Sequence, residues 1–490
     1  MQPSGGSGPC LHATPDPPPP LLALPPELRA LIVSHVPDKG ACRLACHALR
    51  LDINAATDKL SWRWAQGARD AGTDALPPAS LTATLPSLAV LDLSGLTRLN
   101  SLQACPTRLR ELCCVNTCVA DLSPLAACTA LLALDVSLVR TLTSLQGCPT
   151  SLVTLKCRLS EVASLQPLAA CTRLTALDCS LNDVLTSPEG CPASLYELDC
   201  RETAVASLLP LAACTRLRRL HCSDCPDIAS LEGCPANLEE LDCSSTAVAS
   251  LVPLTVCTRL TKLGLDRVTK LEGLPTSVEE MAVLRAGVQD LAPLEACTRL
   301  RELTVRLLPR LVHLGGVPAS LQRLDVAACM GVTSLAPLAA CPMLQALSCL
   351  LMPGLTSLSG LPSDSLTTLT LGECAVYDLQ PLAPCTRLTH LSLGGMEQLG
   401  SLRGLPASVV ALVCAGCPRL GSMALAPVLE ACPILDSLVL IGNMRRGAGG
   451  YGDLRANHNY ATDRQAVEQL VAAWDTTSNA DAAHEVQHGA

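Results

Sequence analysis

Phenylalanine is missing from the sequence altogether, and only three tryptophans and four tyrosines stand among its 490 residues. Hydrophobic residues still make up 49% of the chain. Any core must therefore be filled by Leu, Ala, Val and Cys, which suits many thin, similar layers better than one thick globular centre. A basic excess is lacking too: 35 Lys and Arg stand against 44 Asp and Glu, a net charge of -9. A general grip on nucleic acid needs a clustered basic surface, which this balance argues against. No run approaches the roughly 18 to 20 unbroken apolar residues of a membrane-spanning helix. The opening residues 1–7 lack the basic region and apolar core of a signal peptide. With 29 cysteines and no visible export signal, the expectation is a reducing compartment and free thiols. That compartment is the cytoplasm, with the nucleus as the alternative.

Along the chain, residues 1–20 pass from Ser and Gly to Pro17–Pro20 and read as a disordered leader. Residues 21–66 read as a small cluster of helices. Leu28, Leu31, Ile32 and Val36 recur at helical spacing behind Pro25 and Pro26. After a break at Pro37–Gly40, Cys42, Leu44, Cys46 and Leu49 continue the pattern.

From about residue 81 a single unit takes over. Its core is L-x-x-L-x-[L/C/V], beginning at Leu88, Leu109, Leu131, Leu152, Leu174, Leu195, Leu217, Leu238, Leu260, Val278, Leu300, Leu321, Leu344, Leu366, Leu388, Val409 and Leu435, seventeen times in all. The spacing alternates 21 and 22 as far as Leu260, then runs 18, 22, 21, 23, 22, 22, 21 and 26. Two flavours interleave. One carries Pro-Leu-Ala-Ala-Cys-Thr-Arg-Leu, as at Pro167–Leu174; the other carries Gly-Cys-Pro-x-Ser-Leu, as at Gly190–Leu195. Thr203–Leu208 returns 43 residues later as Thr246–Leu251, so the unit is a pair of coils.

This motif at this spacing resembles the leucine-rich-repeat proteins. The first flavour is similar to the internalin class and the second to the bacterial-effector class with LPxxLxxL units. The resemblance implies an α/β fold, a leucine-rich-repeat solenoid over residues 67–440. It would have a curved parallel β-sheet on the concave face, turns and short helices outside, and a small N-terminal helical cap or F-box-like domain. Strands would stack at ~4.8 Å. The last, 26-residue spacing leaves room for one helix near Ala424–Ala431. Residues 441–490 are expected to form a flexible tail, with a loop at Arg445–Gly452 and a short helix at Asp463–Trp474.

The cysteines are the first chemical candidates. One column precedes the strand (Cys128, Cys148, Cys171, Cys191, Cys214, Cys234, Cys257) and another ends the motif (Cys157, Cys179, Cys200, Cys222, Cys243). The first column continues as Leu274, Cys297, Val317, Cys341, Leu361, Cys385, Leu405 and Cys432. A place that takes Leu, Val or Cys wants a small hydrophobe rather than a ligand. Cys222–Cys225 and Cys414–Cys417 have CxxC spacing, but their first members are column positions and no second pair lies at finger distance. Gly447–Gly452 fits GxGxxG without the following helix and strand that phosphate binding needs. No HExxH or triad setting surrounds any of the nine histidines. The expectation is a chain that is not an enzyme and takes no metal or cofactor.

What remains is the inner face, where the x positions point away from the core. The charged stretch there comprises Glu197, Asp199, Arg201, Arg218, Arg219, His221, Glu239, Glu240, Asp242, Lys262, Asp266, Arg267, Glu279, Glu280, Arg301 and Glu302. Concave faces of solenoids are common binding surfaces. With exposed aromatics scarce, a charged or peptide-like protein partner fits better than a greasy one. Neither nucleic acid nor membrane is expected as a partner.

The opening helical cluster resembles an F-box. Leu24-Pro-Pro-Glu-Leu28, Ile32, Val36, Pro37-Asp38 and Cys42-Arg-Leu-Ala-Cys-His47 follow that family's order of residues. The resemblance implies that Leu24, Pro25, Leu28, Ile32 and Val36 contact Skp1 and that the repeats hold a substrate for ubiquitination. Two departures stand out: the stretch from Asp38 to Cys46 is short, and Leu49 replaces the customary Trp. A plain cap over the first coil would contain the same amphipathic helices.

Overall fold

A computed structural model describes residues 59–61, 87–103, 105–422, 425–441, 458–461 and 463–471. They fall in two compact units, Met1–Lys156 and Cys157–Ala490. The first contains β1 (Lys59–Ser61), β2 (Val90–Asp92), β3 (Glu111–Cys113), β4 (Ala133–Asp135) and β5 (Thr154–Lys156), each parallel to the next. The second begins with β6 (Ala176–Asp178), β7 (Glu197–Asp199), β8 (Arg219–His221), β9 (Glu240–Cys243), β10 (Lys262–Asp266) and β11 (Glu280–Leu284). It continues through β12 (Glu302–Arg306), β13 (Arg323–Ala327), β14 (Ala346–Leu350), β15 (Thr368–Gly372), β16 (His390–Gly394), β17 (Ala411–Ala415) and β18 (Ser437–Ile441). These strands also pair in parallel and in sequence order.

The motif dictates this ladder. Its first, fourth and sixth residues point inward, as Leu238, Leu241 and Cys243 do, each at most 1% exposed. Between strands the first flavour makes a 3-10 turn with proline at its second residue, as at Ser123–Ala127, Gln166–Ala170 and Leu209–Ala213. Proline there fixes φ without removing a needed donor. The second flavour places a left-handed glycine on the preceding turn: Gly147 against Ser123, Gly190 against Gln166, Gly233 against Leu209. Its serine also has a purpose, since the Ser194 hydroxyl donates to the Leu174 carbonyl at 2.7 Å. The two flavours are thus complementary halves of one packing unit. The helix expected in the last spacing is α1, Ala426–Ala431.

A second inward column lies at the ninth position, where the chain leaves the strand. Thr117, Ser160, Thr203 and Thr246 each donate to the carbonyl three residues earlier, and the same column continues through Cys225, Cys329, Cys374 and Cys417. Both CxxC spacings are therefore the sixth and ninth positions of one coil, two packing columns seen together. Asn182 is the most heavily bonded member. It donates to the Cys157 and Cys179 carbonyls at 3.0 and 2.8 Å and accepts from the Ser160 backbone N–H and hydroxyl. Asn182→Ala leaves these buried groups unpaired, and a loss of about 2–4 kcal/mol is expected in urea unfolding. A loss under about 1 kcal/mol would show that the column contributes shape alone.

Burial sets the thiol chemistry. Cys243 is pushed up to about 12 and Cys257 to about 11, both chiefly by desolvation. Cys225 moves the other way, to about 7, because the Cys200 side chain and then Thr203 hydrogen-bond to it, but it is wholly buried. No disulfide joins the described cysteines, and most of them are buried.

Each end of the chain contains a strand that the repeat pattern does not suggest. Within the segment read as helical, residues 59–61 form β1, paired in register with Val90–Asp92; Leu24, Pro25, Leu28, Ile32 and Val36 lie outside the described residues. The segment read as a tail contains β19 (His458–Ala461), antiparallel to β18, and the short helix expected at Asp463–Trp474 is α2, over residues 464–471. Asp463 caps α2 by accepting from the Ala466 N–H at 2.8 Å. Val467 and Val471 are buried, and Arg464 donates to the Cys432 and Leu435 carbonyls. Together they cover the last coil, where an open strand edge would otherwise invite pairing. The loop expected at Arg445–Gly452 lies outside the described residues.

Candidate binding face

On each strand the third, fifth and seventh residues share the face turned away from the core. Parallel register stacks them into columns across β7 to β13. The third-position column reads Glu197, Arg219, Glu240, Lys262, Glu280, Glu302 and Arg323. Sequence spacing alone does not show that these charges meet, but the register does. Arg219 sits 3.6 Å from both Glu197 and Glu240, and 5.7 Å from the Tyr196 ring centre. Lys262 meets Glu280 at 2.7 Å, and Arg323 meets Glu302 at 3.1 Å. Donation to the Glu280 carboxylate raises the Lys262 pKa, as donation to the Asp199 carboxylate raises that of Arg201. Glu280 and Glu302 stand directly opposite one another, the one like-charged step in this otherwise alternating column.

The fifth position holds Asp199, His221 and Asp242. Asp199 and Asp242 accept from the backbone N–H two residues on, at 3.2 and 3.1 Å, as Asp178 does at 3.1 Å. These carboxylates therefore fix the strand end as well as facing solvent. Arg201, at the seventh position, reaches back to Asp199 at 2.6 Å. Arg218, Glu239, Glu279 and Arg301 occupy second positions along the strand entry; Arg218 pairs with Glu239 at 3.6 Å, and Glu279 with Arg299 at 3.1 Å.

Two of the expected contact residues sit elsewhere. Asp266 is 1% exposed and cannot meet a partner. Its Oδ2 accepts from Arg285 at 2.5 Å and from the Ser245 hydroxyl at 3.0 Å, while its Oδ1 is buried without a hydrogen bond. The cause is position: a seventh residue lies at the strand end, where the next coil's arginine folds over it. Arg267 stands on the turn beyond, with φ of 57°. Conversely, Arg323, paired with Glu302, extends the charged column one coil further than expected, next to the Arg306–Asp325 pair. The signal available was Arg323 itself, at the third position of its coil. These pairs are exposed and each contributes little to stability; their effect is to hold long side chains at fixed places.

No protein-family model matches the chain, and no curated protein sequence matches it. Among solved structures, YopM from Yersinia enterocolitica is similar over 75% of this chain and 82% of its own, with 23% identity and a TM-score of 0.52. The chain of the TLR13–ssRNA13 complex is similar over 74% of this chain, with 15% identity and a TM-score of 0.53; this chain spans 60% of that one. InlJ from Listeria monocytogenes gives 20% identity over 74% of this chain and 68% of its own, with a TM-score of 0.43. The first two, with the ladder of coils described above, show a leucine-rich-repeat solenoid. No helix among the described residues is long and apolar enough to cross a membrane.

Proposed function

We propose that this chain is a noncatalytic module that holds a protein partner on the charged strand face of β7 to β13. The observation that carries this reading is the cross-strand column from Glu197 to Arg323, whose long side chains are already paired and ordered. An ordered face binds with less loss of side-chain entropy, and its alternating signs select partners of complementary pattern. Phosphate recognition is poorly served along the column, because Arg219 and Arg323 are already engaged by carboxylates. Affinity purification of the full chain with mass spectrometry tests the proposal against the Arg219→Glu, Lys262→Glu variant. Specific partners should fall about tenfold or more in recovery while circular dichroism stays unchanged; equal recovery rejects the face.

The finer reading is that the module is the substrate-recognition subunit of an SCF ubiquitin ligase, docking Skp1 through Leu24, Pro25, Leu28, Ile32 and Val36. The F-box-like order of residues supports it. Co-purification with Skp1, lost in Leu28→Asp and Ile32→Asp, is the expected result, and no Skp1 with the parent chain ends this reading. A recognition scaffold with no ubiquitin link is the second reading. It is favoured by β1, which makes the end of that same segment the first layer of the ladder.

A further inference from the structure

We infer that β12, β13 and β14, with the turns that follow them, form a docking edge for a protein segment presenting aliphatic side chains beside one basic side chain. This inference rests on the partner-holding reading and specifies the chemistry of the partner.

The first observation is a pair of exposed leucines on the left-handed turns that end their coils' strands. Leu307 and Leu351 occupy the eighth positions of their coils with φ of 59° and 54°. A left-handed backbone is unfavourable for a bulky L-residue, whereas glycine and asparagine adopt it readily. Asn116, Gly395 and Gly416 fill the equivalent place in other coils. Nor does burial compensate, because Leu307 is 52% and Leu351 44% exposed. Leu159 and Leu181 share the conformation but are half-buried, and Leu138 is exposed in the other unit. On the coil between Leu307 and Leu351 stands Met330, 54% exposed. Leu350 adds to the strip and extends over Gly372, where a Cβ would lie 2.7 Å from its Cδ2. Aliphatic exposure of this kind marks contact surfaces, and here it falls on a left-handed turn position that other coils fill with Asn, Gly, Asp, Ser or Glu.

The second observation is a hollow on the strands of the same coils, about 260 Å³, opened where long charged side chains give way to Ala346, Ser348, Thr368 and Thr370. Asp325 lines it. One oxygen of that carboxylate takes the Arg306 guanidinium, and Oδ1 is buried with no hydrogen bond. The Glu302–Arg323 pair borders the same hollow. Beyond β13 the third and fifth positions carry no carboxylate or guanidinium: they are Ala346, Ser348, Thr368, Thr370, His390, Ser392, Ala411, Val413, Ser437 and Val439. A lysine or arginine laid there would rest its stem on Ala346 and direct its donors to Asp325 and the hydroxyls, a charge-assisted arrangement.

Random peptides displayed on phage, selected on the immobilised full chain, test this edge. Enriched peptides should share one basic residue flanked by aliphatic ones. A synthetic copy should bind about tenfold more weakly to the Leu307→Asn, Leu351→Asn double variant and to Ser348→Trp, which fills the hollow. Asparagine suits the left-handed backbone, so the double variant should melt no lower than the parent, which separates a lost contact from lost folding. Asp325→Asn should reduce the preference for basic over uncharged peptides. Enriched peptides without a common basic residue, unchanged affinity for the double variant, a lowered melting temperature in it, or no enrichment at all overturns the proposal. A peptide weakened by Arg219→Glu, Lys262→Glu but indifferent to Leu351→Asn removes this edge and leaves the partner-holding face standing.

Discussion

Raising the pH above about 9 is expected to unfold this protein within roughly one to two pH units. The cause is the packing of thiols into the inward columns. Cys243 keeps its proton up to about 12 and Cys257 and Cys432 up to about 11, against 9.0 for an ordinary thiol. Their folded-state pKa values are raised, so their contribution is intact below pH 9. It is lost as the pH climbs, because only the unfolded chain releases those protons. By pH 10 each such thiol favours unfolding by about 1.4 kcal/mol. About five acting together offset some 7 kcal/mol, comparable with the whole stability of an ordinary domain. Cys225, lowered to about 7, gains stability between pH 7 and 9, but it is one against many. Far-UV circular dichroism and thiolate absorbance, followed together against pH, provide the check. The two signals should rise and fall as one transition; thiolates appearing over an intact fold would refute the argument.

Gly233→Ala is the second change expected to have a large effect. Gly233 has φ of +91°, and a Cβ on it would lie 2.4 Å from the Leu209 Cα and 2.5 Å from the Leu208 carbonyl oxygen. Both atoms are backbone of the preceding 3-10 turn, so no rotamer change relieves the clash. The left-handed penalty of about 1–2 kcal/mol and an overpacking cost of about 1–3 kcal/mol together give a loss of roughly 2–5 kcal/mol. Gly264 offers the contrast. A Cβ there would meet the Asp242 carboxylate at 2.7 Å, a side chain able to turn aside, and no left-handed angle is involved. Gly264→Ala should cost less than about 1 kcal/mol. Urea unfolding of the two variants side by side decides the matter, and equal losses would discredit the turn-on-turn contact.

The strands were legible because their determinant is local: three inward residues per coil, repeated at nearly constant spacing, each found buried. The cysteine columns were legible for the same reason, since Leu and Val substitute for Cys along them. The ion pairs were not, because Arg219 lies 22 residues from Glu197 and 21 from Glu240, and only the register says that they touch. Asp266 misled for a related reason. Its own coil gives no sign that Arg285 of the next one closes over it. At the ends, β1 and β19 are three and four residues long. Lys-Leu-Ser and His-Asn-Tyr-Ala carry no repeat motif, and they become strands because an existing edge offers hydrogen bonds to them.

The glycine resting on the turn before it also decides how such a chain can change length. Gly147, Gly190, Gly233, Gly316, Gly360 and Gly404 each press on the 3-10 turn of the coil before, and even the shortened coil keeps the arrangement through Gly273 on Val252. Inserting or removing 43 residues, the distance from Thr203 to Thr246, keeps every glycine above a proline-bearing turn. Removing a single coil sets two glycine turns, or two proline turns, against each other. The protein is therefore built on a ruler graduated in pairs, and growth of the binding face is restricted to even steps.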